Sequence, residues 1–371
     1  MKRIERRITV ILPDLGGGGA ERLHVHLAND WVARGISVEF VLLRKQGALL
    51  SLLAPEVAVT GLGVGRIRDV IFPFAEHLRK SRPQVVLAAM WPLTSAAVFS
   101  WILSGRVGKL MLSEHENLSL SYIGQRRTKP FYLRNLIRFT YPLARGIVAV
   151  SRGVKEDLCF LGGLTPNAVR VIYNPAATGV SPLRESTVLQ EQLWGNGFAK
   201  HILSVGRLSL QKDHANLIKA FAMLPKDLNV KLSIIGDGPL RAELSDLIFE
   251  LGLQANVSLP GFTTNPYPWF RSADLFVLSS RWEGFANVIV ESLECGVPVV
   301  STNCPSGPDE ILEGGRYGKL VPVQDSLALA TAMIQSLNET HDRDALMLRA
   351  RDFSVRKISG EYLSYLFPEG Y

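Results

Sequence analysis

The chain has 371 residues, too many for one ordinary core and enough for two domains. With 47% hydrophobic and 20% charged residues and no low-complexity tract, it reads as globular, which excludes a disordered chain. Three cysteines without a CxxC pair fit a reducing compartment and exclude a disulfide frame or a zinc site. The net charge of +7 is uneven: residues 1–180 hold 24 Lys and Arg against 12 Asp and Glu, and residues 181–371 hold 17 against 22. The basic half suits an anionic membrane surface or a nucleic acid.

Met1–Arg7 is basic and Ile8–Leu12 apolar, but the run is too short for a signal peptide. Pro13-Asp14-Leu15-Gly16 ends it with no cleavage site, so a buried first strand is expected. Glu21–Arg34 is helical, with Leu23, Leu27 and Trp31 at spacing four. Val38–Leu43 is the second strand. The uncharged window Val85–Gly105 contains Pro92 and several hydroxyl residues, so it reads as strand Val85–Met90 and helix Ser95–Leu103 rather than a membrane span. With no span and no signal, the expected location is cytoplasmic. Strands Leu110–Ser113, Ile147–Val150 and Val169–Tyr173 follow, and the first domain closes at Pro175. Ala176–Asn196 is turn-rich and reads as the connection.

The pattern then restarts. Strands are predicted at Ile202–Val205, Lys231–Ile235, Val257–Leu259, Leu275–Leu278 and Val297–Ser301. Helices are predicted near Asn216–Met223, Leu240–Leu251, Asn287–Cys295 and Leu327–Leu337, and Phe353–Leu366 forms a last helix. Alternating strands and helices indicate α/β architecture: two Rossmann-like, doubly wound domains, residues 1–175 and 176–352, facing across a cleft. Ligands of such sheets bind at the carboxyl ends of the strands.

The chemistry-bearing residues stand at those ends. Gly16–Ala20 joins the first strand to a helix, and glycine lets the backbone approach a ligand beside a helix N-terminus. The spacing is not the dinucleotide G-x-G-x-x-G. Arg207 and Lys212 follow strand Ile202–Val205 and could neutralise a diphosphate. Glu283 and Glu291 are separated by seven residues, one in a loop and one about two turns into a helix, where carboxylates can accept from sugar and ribose hydroxyls. The N–H groups of Phe285–Val288, at that helix start, can meet a phosphate.

Together GGGGAE (Gly16–Glu21), SEHEN (Ser113–Asn117), VIYNP (Val171–Pro175), GRLSLQKD (Gly206–Asp213), IIGDGPLRAEL (Ile234–Leu244), EGFANVIVE (Glu283–Glu291) and GVPVVS (Gly296–Ser301) resemble the GT-B glycosyltransferases of family four over nearly the whole chain. The resemblance implies roles. Arg207 and Lys212 would bind the donor diphosphate, Glu291 the ribose, and Glu283 the transferred sugar. His115 would stand near the reacting centre, and Gly17, Gly18 and Gly19 would line the cleft. Gly236, Gly261 and Phe262 would hold the base, and Gly284, Phe285, Ala286 and Asn287 would meet the donor. The common form of the last loop is EGFG, so Ala286 is a departure that bears on the fit of the donor sugar. The last helix would cross back to the N-terminal domain. No permanent cofactor and no metal site is expected. A UDP-linked sugar is the leading donor, transferred with retention by a same-face mechanism that the leaving phosphate assists.

The resemblance, with CPSGPDEIL (Cys304–Leu312), extends to bacterial enzymes of surface polysaccharide and lipid-linked oligosaccharide assembly, which implies a glycan or lipid-linked saccharide acceptor. Arg126, Arg127, Lys129, Arg134, Arg138 and Arg145, interleaved with Phe131, Tyr132, Phe139 and Tyr141, suit either an anionic bilayer or a core helix with a solvated basic rim. The reading adopted is peripheral contact with anionic inner-membrane lipids. Three other functions compete. A nicotinamide-dependent oxidoreductase would need the G-x-G-x-x-G turn and an acidic residue ending the second strand, which here ends in Leu43-Arg44-Lys45. A nucleotide-sugar epimerase of the same fold would need no acceptor side. A nucleic-acid-binding protein would suit the basic charge but lacks any recognition motif, so no nucleic-acid partner is expected.

Overall fold

A computed structural model describes residues 6–124, 129–180, 183, 185 and 187–369. Arg126 and Arg127 lie outside them. The chain divides into two compact units, Met1–Pro175 with Val355–Tyr371, and Ala176–Ser354.

In the first unit the order is β1 (Arg7–Leu12), α1 (Gly19–Ala33), β2 (Ser37–Leu42), β3 (Ala58–Gly61), α2 (Ile71–Ser81), β4 (Val85–Ala89), α3 (Leu93–Leu103), β5 (Lys109–Glu114), α4 (Pro130–Thr140), β6 (Gly146–Ala149), α5 (Arg152–Gly162) and β7 (Val169–Val171). The second unit runs α6 (Thr187–Trp194), β8 (Lys200–Val205), α7 (His214–Ala222), β9 (Val230–Ile235), α8 (Arg241–Glu250), β10 (Val257–Gly261), α9 (Tyr267–Ser272), β11 (Leu275–Leu278), α10 (Asn287–Glu294), β12 (Val299–Thr302), α11 (Pro308–Leu312), β13 (Lys319–Val321), α12 (Ser326–Asn338) and α13 (Arg343–Ala350). The last helix, α14 (Val355–Leu366), packs on α1 in the first unit.

Both sheets are parallel, in orders β3-β2-β1-β4-β5-β6-β7 and β10-β9-β8-β11-β12-β13. Each reverses its direction of growth once, between β1 and β4 and between β8 and β11. There the crossovers leave to opposite faces and open a crevice at the carboxyl ends. The inner strands are apolar on both faces because helices cover both; β4 and β11 are buried throughout.

The edge strands β3 and β13 carry no continuous apolar run, because their outer sides pack on little, so apolar periodicity does not mark them. Ala176–Asn196 is not all turn: it contains α6, held by the single buried anchor Trp194. That indole donates to Ser272 Oγ at 2.8 Å and meets Trp269 edge-on at 5.1 Å. One anchor leaves no helical stripe in the sequence. The last helix starts at Val355 rather than Phe353, since Arg351–Phe353 forms a 3-10 turn and Ser354 is extended.

The α14 side chains Ile358, Tyr362, Leu363 and Leu366 complete the first unit's core with Trp31, Phe40 and Leu87. Leu363→Ala is expected to destabilise this unit by about 3 kcal/mol. Hydrogen exchange would show it as faster exchange in β1, β2 and β4, with β8–β12 unchanged.

Candidate functional site

In the second unit the loops leaving β8 and β11 are laced together. The Arg281 amide donates to the Gln211 carbonyl at 2.8 Å, Gln211 Nε2 to the Trp282 carbonyl at 3.0 Å, and Ser279 Oγ to the Lys212 carbonyl at 2.8 Å. Arg281 grips Asp213 through two bonds of 2.8 and 3.1 Å. This lacing fixes Lys212 against Glu283: Nζ lies 2.6 Å from Oε1, and Ser280 Oγ donates to the same oxygen at 2.6 Å. Glu283 is buried, so the pair is little screened by water. Arg207, on the same loop, is exposed.

Glycines let these loops pass. A Cβ at Gly236, where φ is 141°, would stand 2.0 Å from the Gly206 carbonyl oxygen. Gly236 N–H donates to the Gly261 carbonyl at 2.9 Å, which brings Arg207's neighbour Gly206, Gly236 and Gly261 into one row, with Phe262 exposed beyond it. Below Glu283, Phe285 is buried on Phe353 at 5.4 Å, so only its backbone can face a ligand. Ala286 takes the left-handed conformation, φ 71° and ψ 60°, and no side chain caps α10. The glycine of the common motif therefore answers a backbone demand. Glu291 lies about one turn into α10, not two, because the helix begins only at Asn287.

In the first unit Gly17 has φ 122°, Gly18 precedes α1, and Gly19 opens it. His115 follows β5 and helps line a cavity of ≈ 560 Å³ with Glu21, Trp91, Glu116 and Tyr122. Ser113 Oγ bonds His115 Nε2 at 2.9 Å and Tyr362 Oη of α14 at 3.4 Å. Behind it His24 meets His115 edge-on at 5.2 Å. His24 Nδ1 lies 2.7 Å from the Ala20 carbonyl and must be the protonated nitrogen, which leaves Nε2 an acceptor. Burial holds both rings neutral, His24 at about 4 and His115 well below its usual value, the latter also through His24.

Glu114, beside His115, is a buried carboxyl to which sequence reasoning gave no role. It is buried and accepts from the Trp91 amide at 3.1 Å, from Thr94 Oγ1 at 2.7 Å, and from the Tyr141 hydroxyl. Burial pushes its carboxyl up to about 7, more than these donors pull it down. Glu21, in the glycine motif but without an assigned role, is also raised, by burial and then by Asp14 and Glu116. Nothing at Glu114 but its place within SEHEN marks it, since its partners come from the segment after β4, from α3 and from the segment after α4. Gly17–Gly19 and His115 thus gather in the first unit, and Arg207, Lys212, Gly236, Gly261, Glu283 and Ala286 in the second. Among the described residues no cluster of three or more His, Cys, Asp or Glu could hold a metal.

Two outcomes follow. Ala286→Gly removes a left-handed alanine and is expected to stabilise the second unit by about 0.5–1 kcal/mol, read as a higher denaturant midpoint. Glu114 has a raised value, so its contribution is whole below about 4.5 and is lost as pH rises through about 7. His24 acts oppositely, being lost as pH falls from 6.5 through about 4. Glu114→Gln isolates the carboxyl: the variant should gain on the wild type steadily from pH 4.5 to 7. A flat difference would mean that Glu114 keeps an ordinary carboxylate affinity for protons.

Known proteins show the family and the fold of this chain. Residues 17–179 match the family model "Glycosyltransferase Family 4", and residues 191–353 the model "Glycosyl transferases group 1". A Campylobacter jejuni N-acetylgalactosamine-N,N'-diacetylbacillosaminyl-diphospho-undecaprenol 4-alpha-N-acetylgalactosaminyltransferase is 34% identical over 71% of this chain and 70% of its own. The Rhizobium meliloti lipopolysaccharide core glycosyltransferase LpsE is 29% identical over 94% of each. The crystal structure of Anabaena HepE with UDP and glucose superposes with a TM-score of 0.80 at 22% identity, covering 98% of this chain and 99% of that one. Its fold is GT-B, and so is the fold here. The chain belongs to the family-four glycosyltransferases and is itself a glycosyltransferase.

Proposed function

We propose that this enzyme transfers a hexose or N-acetylhexosamine from a nucleotide sugar, UDP-linked in the leading reading, to a lipid-linked saccharide, with retention at the anomeric carbon. The laced β8 and β11 loops carry the reading. They hold an exposed Arg207, a buried Lys212–Glu283 pair and an α10 N-terminus with no side-chain cap around one row of close-approach glycines.

Charge assigns the roles. Breaking the bond from sugar C1 to the diphosphate builds negative charge on phosphate, which Arg207, Lys212 and the α10 amides stabilise. Glu283, held by Lys212 and Ser280, meets the sugar, and Glu291 the ribose. The row at Gly236, Gly261 and Phe262 takes the base. The acceptor hydroxyl attacks C1 from the face the diphosphate leaves, and its proton passes to the leaving phosphate oxygen. His115, kept neutral, can accept a hydrogen bond in the acceptor cavity of the first unit, with Gly17–Gly19 beside it. The Campylobacter relative, a transferase to a diphospho-undecaprenol saccharide, supports the acceptor class. HepE, whose structure holds UDP and glucose, supports the donor. Peripheral contact with anionic lipids fits the outer face of α4, where Phe131, Tyr132 and Phe139 are exposed beside Arg134 and Arg138.

The test is thermal stabilisation by UDP, GDP and ADP on wild type and Arg207→Ala, followed by the anomeric configuration of the product. At ~100 times its dissociation constant the right nucleotide adds about 2.7 kcal/mol, and the variant loses most of it. An inverted product, or no response to any nucleotide, would defeat the reading.

A further inference from the structure

The His115 cavity does not end at its polar wall. Ile67 and Pro92 line it and also line a second cavity of ≈ 480 Å³ in the same unit. That volume is within the ~300–1,000 Å³ range of small-ligand pockets. Ile71, Ala96, Phe99, Tyr132 and Leu136, from α2, α3 and α4, make it apolar. Arg66 and Arg68 line it as well and are exposed, so two cations flank the shared residue Ile67 in the chain. Around it α2 and α4 leave Phe72, Phe131 and Phe139 77%, 79% and 69% exposed, an outer face that water alone does not favour.

Along the first unit the polar His115 cavity meets, across Ile67 and Pro92, a cavity that holds both arginines and the apolar wall. A glycan joined through a diphosphate to an isoprenoid has the chemistry to match both. We propose that the groove between α2, α3 and α4 binds the first isoprene units of a diphosphate-linked acceptor, with Arg66 and Arg68 on the diphosphate. The saccharide then extends past Ile67 toward His115. This rests on the lipid-linked acceptor reading above and adds to it a site, a polarity and two cations. Forked guanidinium bonds suit a diphosphate, and neighbouring apolar walls suit the branched hydrocarbon that follows it. Specificity for the lipid anchor would reside here, apart from the donor residues of the second unit.

The test is calorimetric binding of farnesyl diphosphate to the full chain in mild detergent, with saturating UDP to occupy the donor's own diphosphate site. Farnesyl diphosphate should bind at least ~10-fold tighter than inorganic diphosphate or farnesol, since both halves of the site contribute. Arg66→Ser with Arg68→Ser, and separately the exposed-site change Phe99→Glu, should each weaken it ~10-fold while the UDP thermal shift stays intact. Equal binding of inorganic diphosphate, or indifference to both variants, overturns the site. So does binding of anionic vesicles without any binding of farnesyl diphosphate, which would make this face a bilayer contact only. A chain that answers UDP but not farnesyl diphosphate loses the groove and keeps the donor reading. A chain that answers farnesyl diphosphate but not UDP keeps the groove and loses the donor reading.

Discussion

Most residues with a chemical role here stand at the carboxyl ends of parallel strands, several of them where a sheet reverses its growth. Between β1 and β4, and between β8 and β11, successive crossovers diverge to opposite faces. The β1 exit brings Gly17–Gly19, the β5 exit His115, the β8 exit Arg207 and Lys212, and the β11 exit Glu283. Parallel strands point all their carboxyl ends one way, so within each unit loops far apart in the chain meet at one rim. The edge strand β10 adds Gly261 and Phe262.

Holding those loops requires buried charge, and the two units solve this differently. In the second, ions are kept as ions: Lys212 with Glu283, and Asp213 with Arg281, each sharing further hydrogen bonds. A lone buried ion would be costly, so the pairs tie two loops into one surface. In the first, burial outweighs the partners. His24 and His115 are held neutral and Glu114 retains its proton to higher pH. A cavity of carboxyl groups and neutral imidazole suits hydroxyl groups, while fixed cations suit phosphate. The electrostatics of each unit thus match the ligand proposed for it.

The chain's last helix ties its two ends to this chemistry. Tyr362 packs on Trp31 at 6.2 Å and reaches Ser113, which bonds His115. Truncation or mutation of α14 would therefore loosen the core and the histidine together. One structural element serves stability and positioning, because the hydroxyl that reaches inward belongs to a side chain already needed to fill space.

Much of this was legible in the primary structure. Strands buried on both faces must be apolar throughout, so β1, β4, β5, β8 and β11 announce themselves, and glycine or charge just past them marks the rim. The need for glycine before α10 could be read as a departure at Ala286, though only the dihedral angles explain it. Other features had no local signal. The helix at Thr187–Trp194 rests on one tryptophan, and β3 and β13 lack a second buried face. Glu114 is defined by Trp91, Thr94 and Tyr141, and His24 by His115, partners remote in sequence. Periodicity records which face of an element is buried; it does not record what lies across the contact. Tertiary packing alone decided which carboxyl keeps its proton, which histidine nitrogen is free, and which cations stand beside an apolar groove.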